Sequence, residues 1–230
     1  MTRNLAITLV LIIGSVVALG IFAYSVDRAP APPGSSEAAD SPSPSIAPEE
    51  LLVRENSHYL SRAEGAAEDA DVTVVEFLDF ECEACRAQFP VMERLREEYD
   101  GRINFVIRYF PLPGHTNSEP AAAAVEAAAQ QGALEEMYIR MYETQAEWGE
   151  SQDSQTDVFV GFADDLGLDV EEFTATMEDP ATLERVRADF EDGVALGVQG
   201  TPTIYVNGRQ TDSMPSYRVL SDMIDRELGA

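Results

Sequence analysis

The chain has 230 residues, of which 45% are hydrophobic and 25% are charged, and this composition is sufficient for a substantial folded core. Its 42 acidic and 15 basic residues give a formal net charge of −27 at pH 7. A negative field of this size repels nucleic acid and anionic lipid surfaces, so charge excludes both as expected partners.

The first 28 residues have the pattern of a membrane anchor. Leu5 to Val26 contains no ionisable side chain other than Tyr24, and about 20 such residues span a bilayer as a helix. A cleaved signal peptide is the alternative, although its apolar stretch is usually only about 7 to 15 residues. The positive charge of Arg3 and the amino terminus narrowly exceeds that of Arg28 at the other end of the span. This difference predicts a single-pass protein with its N-terminus inside and the remaining chain outside the cell membrane.

The composition changes after the anchor. Residues 29–48 are rich in Pro, Ser and Ala and contain few large apolar side chains, so they predict a disordered linker. Residues 49–230 then form one folded domain. Glu49 to Arg62, at its start, predicts a short amphipathic helix with apolar contacts at Leu51, Leu52, Tyr59 and Leu60.

The next elements alternate between strand and helix. Val72 to Phe80 is β-branched and almost continuously apolar, which predicts a central strand buried on both faces and makes Glu76 the exception. Phe89 to Tyr99 has apolar residues at helical spacing, with Pro90 expected to kink the helix. Ile103 to Tyr109 predicts a second buried strand.

The second half of the chain predicts a long helical block followed by a hairpin. Residues 117–196 are helical in pattern throughout. Thr203 to Val206 predicts a third strand, and Asn207-Gly208 is a strong hairpin signal before a short partner strand near Gln210. Tyr217 to Leu228 predicts a final helix. This order predicts an α/β domain in which helices cover a mixed sheet.

Cys82 and Cys85 are the only cysteines, and they follow the first central strand at the expected start of a helix. A helix N-terminus lowers the pKa of a thiol, and a second thiol one turn later can resolve a mixed disulfide and should be more buried. A static disulfide between positions so close would stabilise the fold little. Two thiolates do not complete a zinc site, and His58 and His115 are distant in sequence, so no metal is expected.

Two segments together resemble one known family. Residues 74–85, VVEFLDFECEAC, resemble the active-site strand and helix start of the DsbA-like branch of the thioredoxin superfamily. Residues 197–208, GVQGTPTIYVNG, resemble the loop, strand and hairpin that carry the cis-proline of that family. The resemblance implies a thioredoxin fold with an inserted helical domain over residues 117–196, here preceded by one N-terminal transmembrane helix.

The resemblance also implies roles for individual residues. Thr201-Pro202 should be cis, which leaves the Thr201 backbone free to pair with an extended substrate. Glu76 matches the acidic residue beneath the cysteine pair, where burial would raise its pKa and suit it to exchange protons with Cys85. A salt-bridged Glu at a sheet edge is the alternative. Cys82 would be the thiol that substrates attack.

The implied function is that of a membrane-tethered, extracytoplasmic thiol–disulfide oxidoreductase without a cofactor. It would act, as oxidant, on unfolded or reduced proteins, and a membrane redox partner would reset the cysteine pair. Strong oxidants of the family carry Pro-His between the cysteines, whereas Glu83-Ala84 here predicts a higher thiolate pKa and a weaker oxidant. There are two alternatives. One is a reductase or isomerase, and the other is a non-enzymatic metal-binding or docking module on the same fold. His115 is interpreted as a solvated loop histidine, and a position at the rim of the active site is the alternative.

Overall fold

The computed structural model describes residues 46–64 and 72–229. The predicted anchor at residues 1–28 and nearly all of the predicted linker at residues 29–48 lie outside the described residues. Among the helices of the described residues, none combines the length and the apolar character needed to cross a bilayer.

The described residues form eight helices and five strands. In chain order these are α1 (Glu49–Leu52), β1 (His58–Ser61), β2 (Thr73–Leu78), α2 (Glu83–Glu98), β3 (Asn104–Tyr109), α3 (Ser118–Gln130), α4 (Leu134–Trp148), α5 (Thr156–Asp165), α6 (Val170–Glu178), α7 (Pro180–Leu196), β4 (Thr203–Val206), β5 (Arg209–Gln210) and α8 (Tyr217–Glu227). The predicted helical block and the predicted strands and helices from β2 to α8 are therefore confirmed.

The strands form one mixed sheet in the order β1-β3-β2-β4-β5. β2 and β3 run parallel, joined through α2, and the other three pairings are antiparallel. β2 is an inner strand, and all its side chains after Thr73 are buried, as its continuous apolar pattern predicts. The turn between β4 and β5 places Asn207 and Gly208 at φ of 46° and 76°, the left-handed conformation that a two-residue hairpin turn needs.

The prediction of a helix from Glu49 to Arg62 is wrong beyond Leu52. His58–Ser61 is instead the edge strand β1, antiparallel to β3. Tyr59 packs with the apolar cluster on one side of the sheet and Leu60 is part of the cluster on the other side, which is the two-residue alternation of a strand. Pairing with β1 also provides hydrogen-bond partners for the backbone groups on the outer side of β3, which would otherwise be unpaired.

A buried ion cluster joins β3 to α7 and to α1. Arg108 is fully buried, and its guanidinium donates to Asp189 at 2.6 Å and to Asp192 at 2.5 Å. It also donates to the carbonyl oxygens of Leu51 and Leu52 at 3.0 and 2.7 Å. All three nitrogens of the guanidinium therefore donate hydrogen bonds. Such pairing is the condition under which a buried charge is tolerated.

The parallel strands β2 and β3 end at the same edge of the sheet. The turn after β2 leads into α2 at Cys82, and the loop after β3, residues 110–117, leads into α3. Two chain segments with polar side chains thus meet beside the cysteine pair, which is the usual location of a site in a sheet of this kind.

Candidate active site

Cys82 is the N-cap residue of α2, with φ −71° and ψ 119°, and Cys85 lies in the first turn. Both are free thiols, 8% and 1% exposed, so the predicted order of burial is confirmed. The Cys82 thiol donates to the carbonyl oxygen of Thr201, with 3.4 Å between sulfur and oxygen. The more accessible sulfur therefore faces the loop that precedes β4.

The surroundings of Cys82 favour its thiolate. Its pKa is lowered to about 6, first by a hydrogen bond from Cys85, against the opposing effect of burial, and further by hydrogen bonds from Thr201 and from the backbone N–H groups of Ala84 and Cys85. These N–H groups are the unpaired donors of a helix N-terminus. A pKa near 6 lies between the values of about 7 in thioredoxin and about 3.5 in DsbA.

Cys85 has the opposite character. Burial raises its pKa well above 9.0, and the hydrogen bond to Cys82 and the charges of Cys82 and Glu76 raise it further. One thiol of the pair is thus prepared to ionise and the other to stay protonated. This division suits an attacking thiol next to a resolving thiol.

The loop facing Cys82 contains a Thr201–Pro202 peptide bond that is cis, as the resemblance implied. The Thr201 hydroxyl is buried and contributes to the lowered pKa of Cys82. A cavity of about 280 Å³ adjoins the loop. Its lining is Gly197, Gln199, Gly200, Thr201, Pro202, Thr203, Ile204, Gln210, Thr211, Asp212 and Ser213.

Glu76 lies in the middle of β2 and is only 2% exposed. Its Oε2 atom has no hydrogen-bond partner among the described residues, and β2 is an inner strand, so the alternative of a salt-bridged Glu at a sheet edge is wrong. Burial, followed by the charges of Glu93 and Cys82, raises its pKa to about 8. A carboxyl group with this pKa can both give and take a proton near neutral pH.

The free energy of unfolding of the wild-type protein is expected to fall as pH rises, and Glu76→Gln is expected to remove this fall. Because the pKa is raised from 4.5 to about 8 on folding, the folded state binds more protons than the unfolded chain between these pH values. The free energy of unfolding therefore falls across this window, by up to about 1.4 kcal/mol per pH unit. Urea unfolding of both proteins, with the cysteines kept reduced, measures the difference.

The matched control is Glu97→Gln, which changes an exposed carboxyl group on α2 and should leave the pH dependence as in the wild type. Parallel stability profiles of wild-type and Glu76→Gln proteins from pH 5 to pH 8 would contradict the role of burial at Glu76.

Sequence reasoning missed Asp79, which organises the turn before Cys82. Its Oδ1 accepts the N–H of Glu81 at 2.9 Å, its Oδ2 accepts the N–H of Leu112 at 3.0 Å, and its carbonyl oxygen accepts the N–H of Cys82 at 3.2 Å. Nδ1 of His115 donates to Oδ2 at 2.6 Å. His115 is therefore an ion-pair partner at the active-site turn, and its interpretation as a solvated loop histidine is wrong.

The helical block also supports this turn. Glu81 is buried and accepts the N–H of Asn117 at 2.6 Å. Gln145, on α4, donates to the carbonyl oxygens of Phe80 and Cys82 at 2.7 and 2.9 Å. Acidic residues directly after an apolar strand were a visible signal for Asp79 and Glu81, whereas Gln145 gave none because its contacts span more than 60 positions in the chain.

No group of three or more His, Cys, Asp or Glu side chains is arranged to hold a metal ion in residues 46–64 and 72–229. The aromatic residues Tyr138, Tyr142 and Trp148 are buried in the helical block.

The fold and the cysteine pair define a thioredoxin-like protein, and comparison with known proteins agrees. The family model described as Thioredoxin matches residues 63–226. Because this match covers more than half of the 230 residues, the chain belongs to the thioredoxin family.

Three similar proteins were compared with the chain. A probable disulfide bond formation protein D of Bacillus anthracis is 34% identical over 176 residues, covering 74% of this chain and 80% of that protein. The crystal structure of a thioredoxin-like oxidoreductase from Silicibacter pomeroyi DSS-3 is 29% identical, with a TM-score of 0.66, covering 80% of this chain and 99% of that one. The Na(+)/H(+) antiporter NhaA of Herminiimonas arsenicoxydans is 35% identical over 162 residues, covering 69% of this chain and 24% of the antiporter. The chain thus spans about a quarter of the length of the first curated relatives it matches.

Proposed function

We propose that this protein catalyses thiol–disulfide exchange with protein substrates through Cys82 and Cys85. The observation that carries the proposal is the placement of the Cys82 thiol. It lies at the start of α2, 3.4 Å from the Thr201 carbonyl beside the cis peptide bond, with its pKa lowered to about 6 above a buried and protonated Cys85.

In the oxidising direction, a substrate thiolate attacks the Cys82 sulfur of the Cys82–Cys85 disulfide. The bond between the two cysteines breaks, Cys85 leaves with the electron pair, and it takes a proton from the buried Glu76. A second substrate thiolate then attacks the substrate sulfur of the mixed disulfide, and Cys82 leaves as a thiolate. The substrate loses two electrons and forms a disulfide, while the cysteine pair gains two electrons and is reduced.

The substrate would lie as an extended segment along the loop that carries Thr201 and Pro202. Backbone groups in such a loop can pair with an extended chain as a neighbouring strand does. The contact between the Cys82 thiol and the Thr201 carbonyl supports this arrangement, because the reactive sulfur lies directly beside the loop.

The proposed direction in the cell is oxidation, with the domain outside the membrane, tethered by residues 1–28 through the linker at residues 29–48, and a membrane redox partner resetting the cysteine pair. The relative described as a disulfide bond formation protein supports this direction. The lowered pKa of Cys82 supports it as well, since a stabilised thiolate favours the reduced pair and makes the disulfide a stronger oxidant. Reduction or isomerisation is the second candidate.

The reduction potential decides between the two directions. With a Cys82 pKa between those of thioredoxin and DsbA, we expect a potential between about −270 and −120 mV. Equilibrating the purified full chain in defined ratios of reduced and oxidised glutathione, then trapping free thiols with a maleimide, measures it. A value near that of thioredoxin would contradict the oxidant role, and absence of any exchange would contradict the enzymatic function.

A further inference from the structure

His115 lies between the active-site turn and a groove on the protein surface. Its Nδ1 is bound to the buried Asp79, and its ring lines a groove of about 420 Å³ formed by the loop after β3, the start of α3 and one side of α7. The side chain of His115 is 32% exposed. One edge of the ring is therefore held at the turn that carries Cys82, while solvent can reach another.

The carboxyl groups of the turn would by themselves oppose a thiolate at Cys82. Asp79 and Glu81 are both buried within three residues of Cys82. A negative charge at either position disfavours a second negative charge on the sulfur. The imidazole of His115 is the group paired with Asp79, and in its protonated form it offsets that charge.

The other charged groups near His115 come from the helices that form the groove. These are Glu119 on α3, and Arg187 and Glu191 on α7. Two carboxyl groups and one guanidinium, together with Asp79 and Glu81, leave an excess of negative charge around the ring. This excess favours the imidazolium form at neutral pH.

We propose that His115 is a positioning residue that supplies the positive charge of this active site, and that its imidazolium, held by Asp79, stabilises the Cys82 thiolate. This inference rests on the proposed exchange at Cys82. The positive charge would then come from the loop after β3, because the two residues between the cysteines, Glu83 and Ala84, carry none.

The pKa of His115 agrees with this arrangement. Burial alone lowers it, but the hydrogen bond and charge of Asp79, followed by the charges of Glu81 and Cys82, raise it above 6.5 overall. Coupling between two titrating groups is reciprocal. If the His115 charge stabilises the Cys82 thiolate, the thiolate must strengthen proton binding by His115. Formation of the disulfide removes the thiolate and with it that part of the proton affinity.

The reciprocity is tested directly on the full wild-type chain by NMR of its histidine Cε1–H groups, titrated with the cysteine pair reduced and then oxidised. The chain has two histidines, and His58, paired with Glu126, is the internal control. We expect the His115 pKa to be lower in the oxidised protein by roughly 0.5 to 1 pH unit, a threefold to tenfold loss of proton affinity. The His58 midpoint should stay unchanged.

Three variants separate charge from hydrogen bonding. His115→Gln keeps a donor without the charge, and should raise the midpoint of thiolate formation at Cys82, measured by absorbance near 240 nm, by about the same amount. His115→Lys, which carries a charge, should restore a low midpoint, and His58→Gln should have no effect.

An equal His115 pKa in both redox states would overturn the inference, as would an unchanged Cys82 midpoint in His115→Gln. These outcomes differ from failure of the proposed function, in which the wild-type pair itself would not exchange disulfides. The wild-type titration tests the inference even if a variant does not fold.

Discussion

Cys85→Ser is expected to accumulate substrate proteins as stable mixed disulfides on Cys82. Exchange begins when the more exposed and more acidic thiol reacts, and the second thiol then releases the substrate. The structure assigns these properties to different residues, since Cys82 has a pKa of about 6 and Cys85 a pKa raised well above 9.0. Non-reducing gels of cells producing the variant, compared before and after addition of reductant, measure the trapped species.

The matched variant is Cys82→Ser, in which the buried sulfur is left without its attacking partner. We expect it to form no mixed disulfides and to lower the exchange rate to the uncatalysed background. Adducts of similar yield through Cys85 in this variant would contradict the assignment of roles, because they would show that the 1% exposed sulfur is accessible to protein substrates.

Arg108→Met is expected to lower the free energy of unfolding by about 3 to 5 kcal/mol. The substitution removes the one guanidinium that binds both Asp189 and Asp192, together with two bonds to the backbone of α1. Asp189 keeps an ion pair with Arg185 and Asp192 keeps one with Arg54. Each aspartate nevertheless loses a buried charge-assisted hydrogen bond, and two buried carbonyl oxygens lose their donor, which is costly in a desolvated site. Urea unfolding at neutral pH measures the change through the midpoint and the slope.

Arg218→Met is the control for this experiment. Arg218 is 88% exposed and lies 3.7 Å from Asp222 on the same helix, a pair that should contribute less than about 1 kcal/mol. Equal effects of the two substitutions would show that the buried cluster is not a major contribution to stability. A stabilising effect of Arg108→Met would show that apolar packing can replace the cluster.

Local patterns in the sequence were sufficient to predict the structure wherever one short segment determines the local geometry. The apolar run of β2, the cysteines at the start of α2 and the Asn207-Gly208 turn are each signalled by neighbouring residues, and each was predicted at its observed place. The resemblance of residues 197–208 to a cis-proline loop also correctly placed the cis bond at Pro202. A pattern of this kind works because its period or turn chemistry is local.

Segments that depend on a distant partner could not be predicted in this way. His58–Ser61 is a strand because β3 offers it an unpaired edge, although its own sequence also suits a helix. The pairing of His115 could not be predicted because its partner Asp79 is 36 positions away. Within the described residues, the absence of a hydrogen-bond partner for Oε2 of Glu76 likewise became visible only when every neighbour of β2 was in place.

The sequence by itself determined the class of fold and the position of the thiol chemistry, because the two cysteines, the strand before them and the proline loop each carry their own signal. Only the tertiary structure decided how the site is charged. The pKa of Cys82, the pairing of Asp79 with His115 and the burial of Glu76 arise from groups that folding brings together. Electrostatic interactions depend on distance and on burial, and neither quantity is encoded in any single segment of the chain.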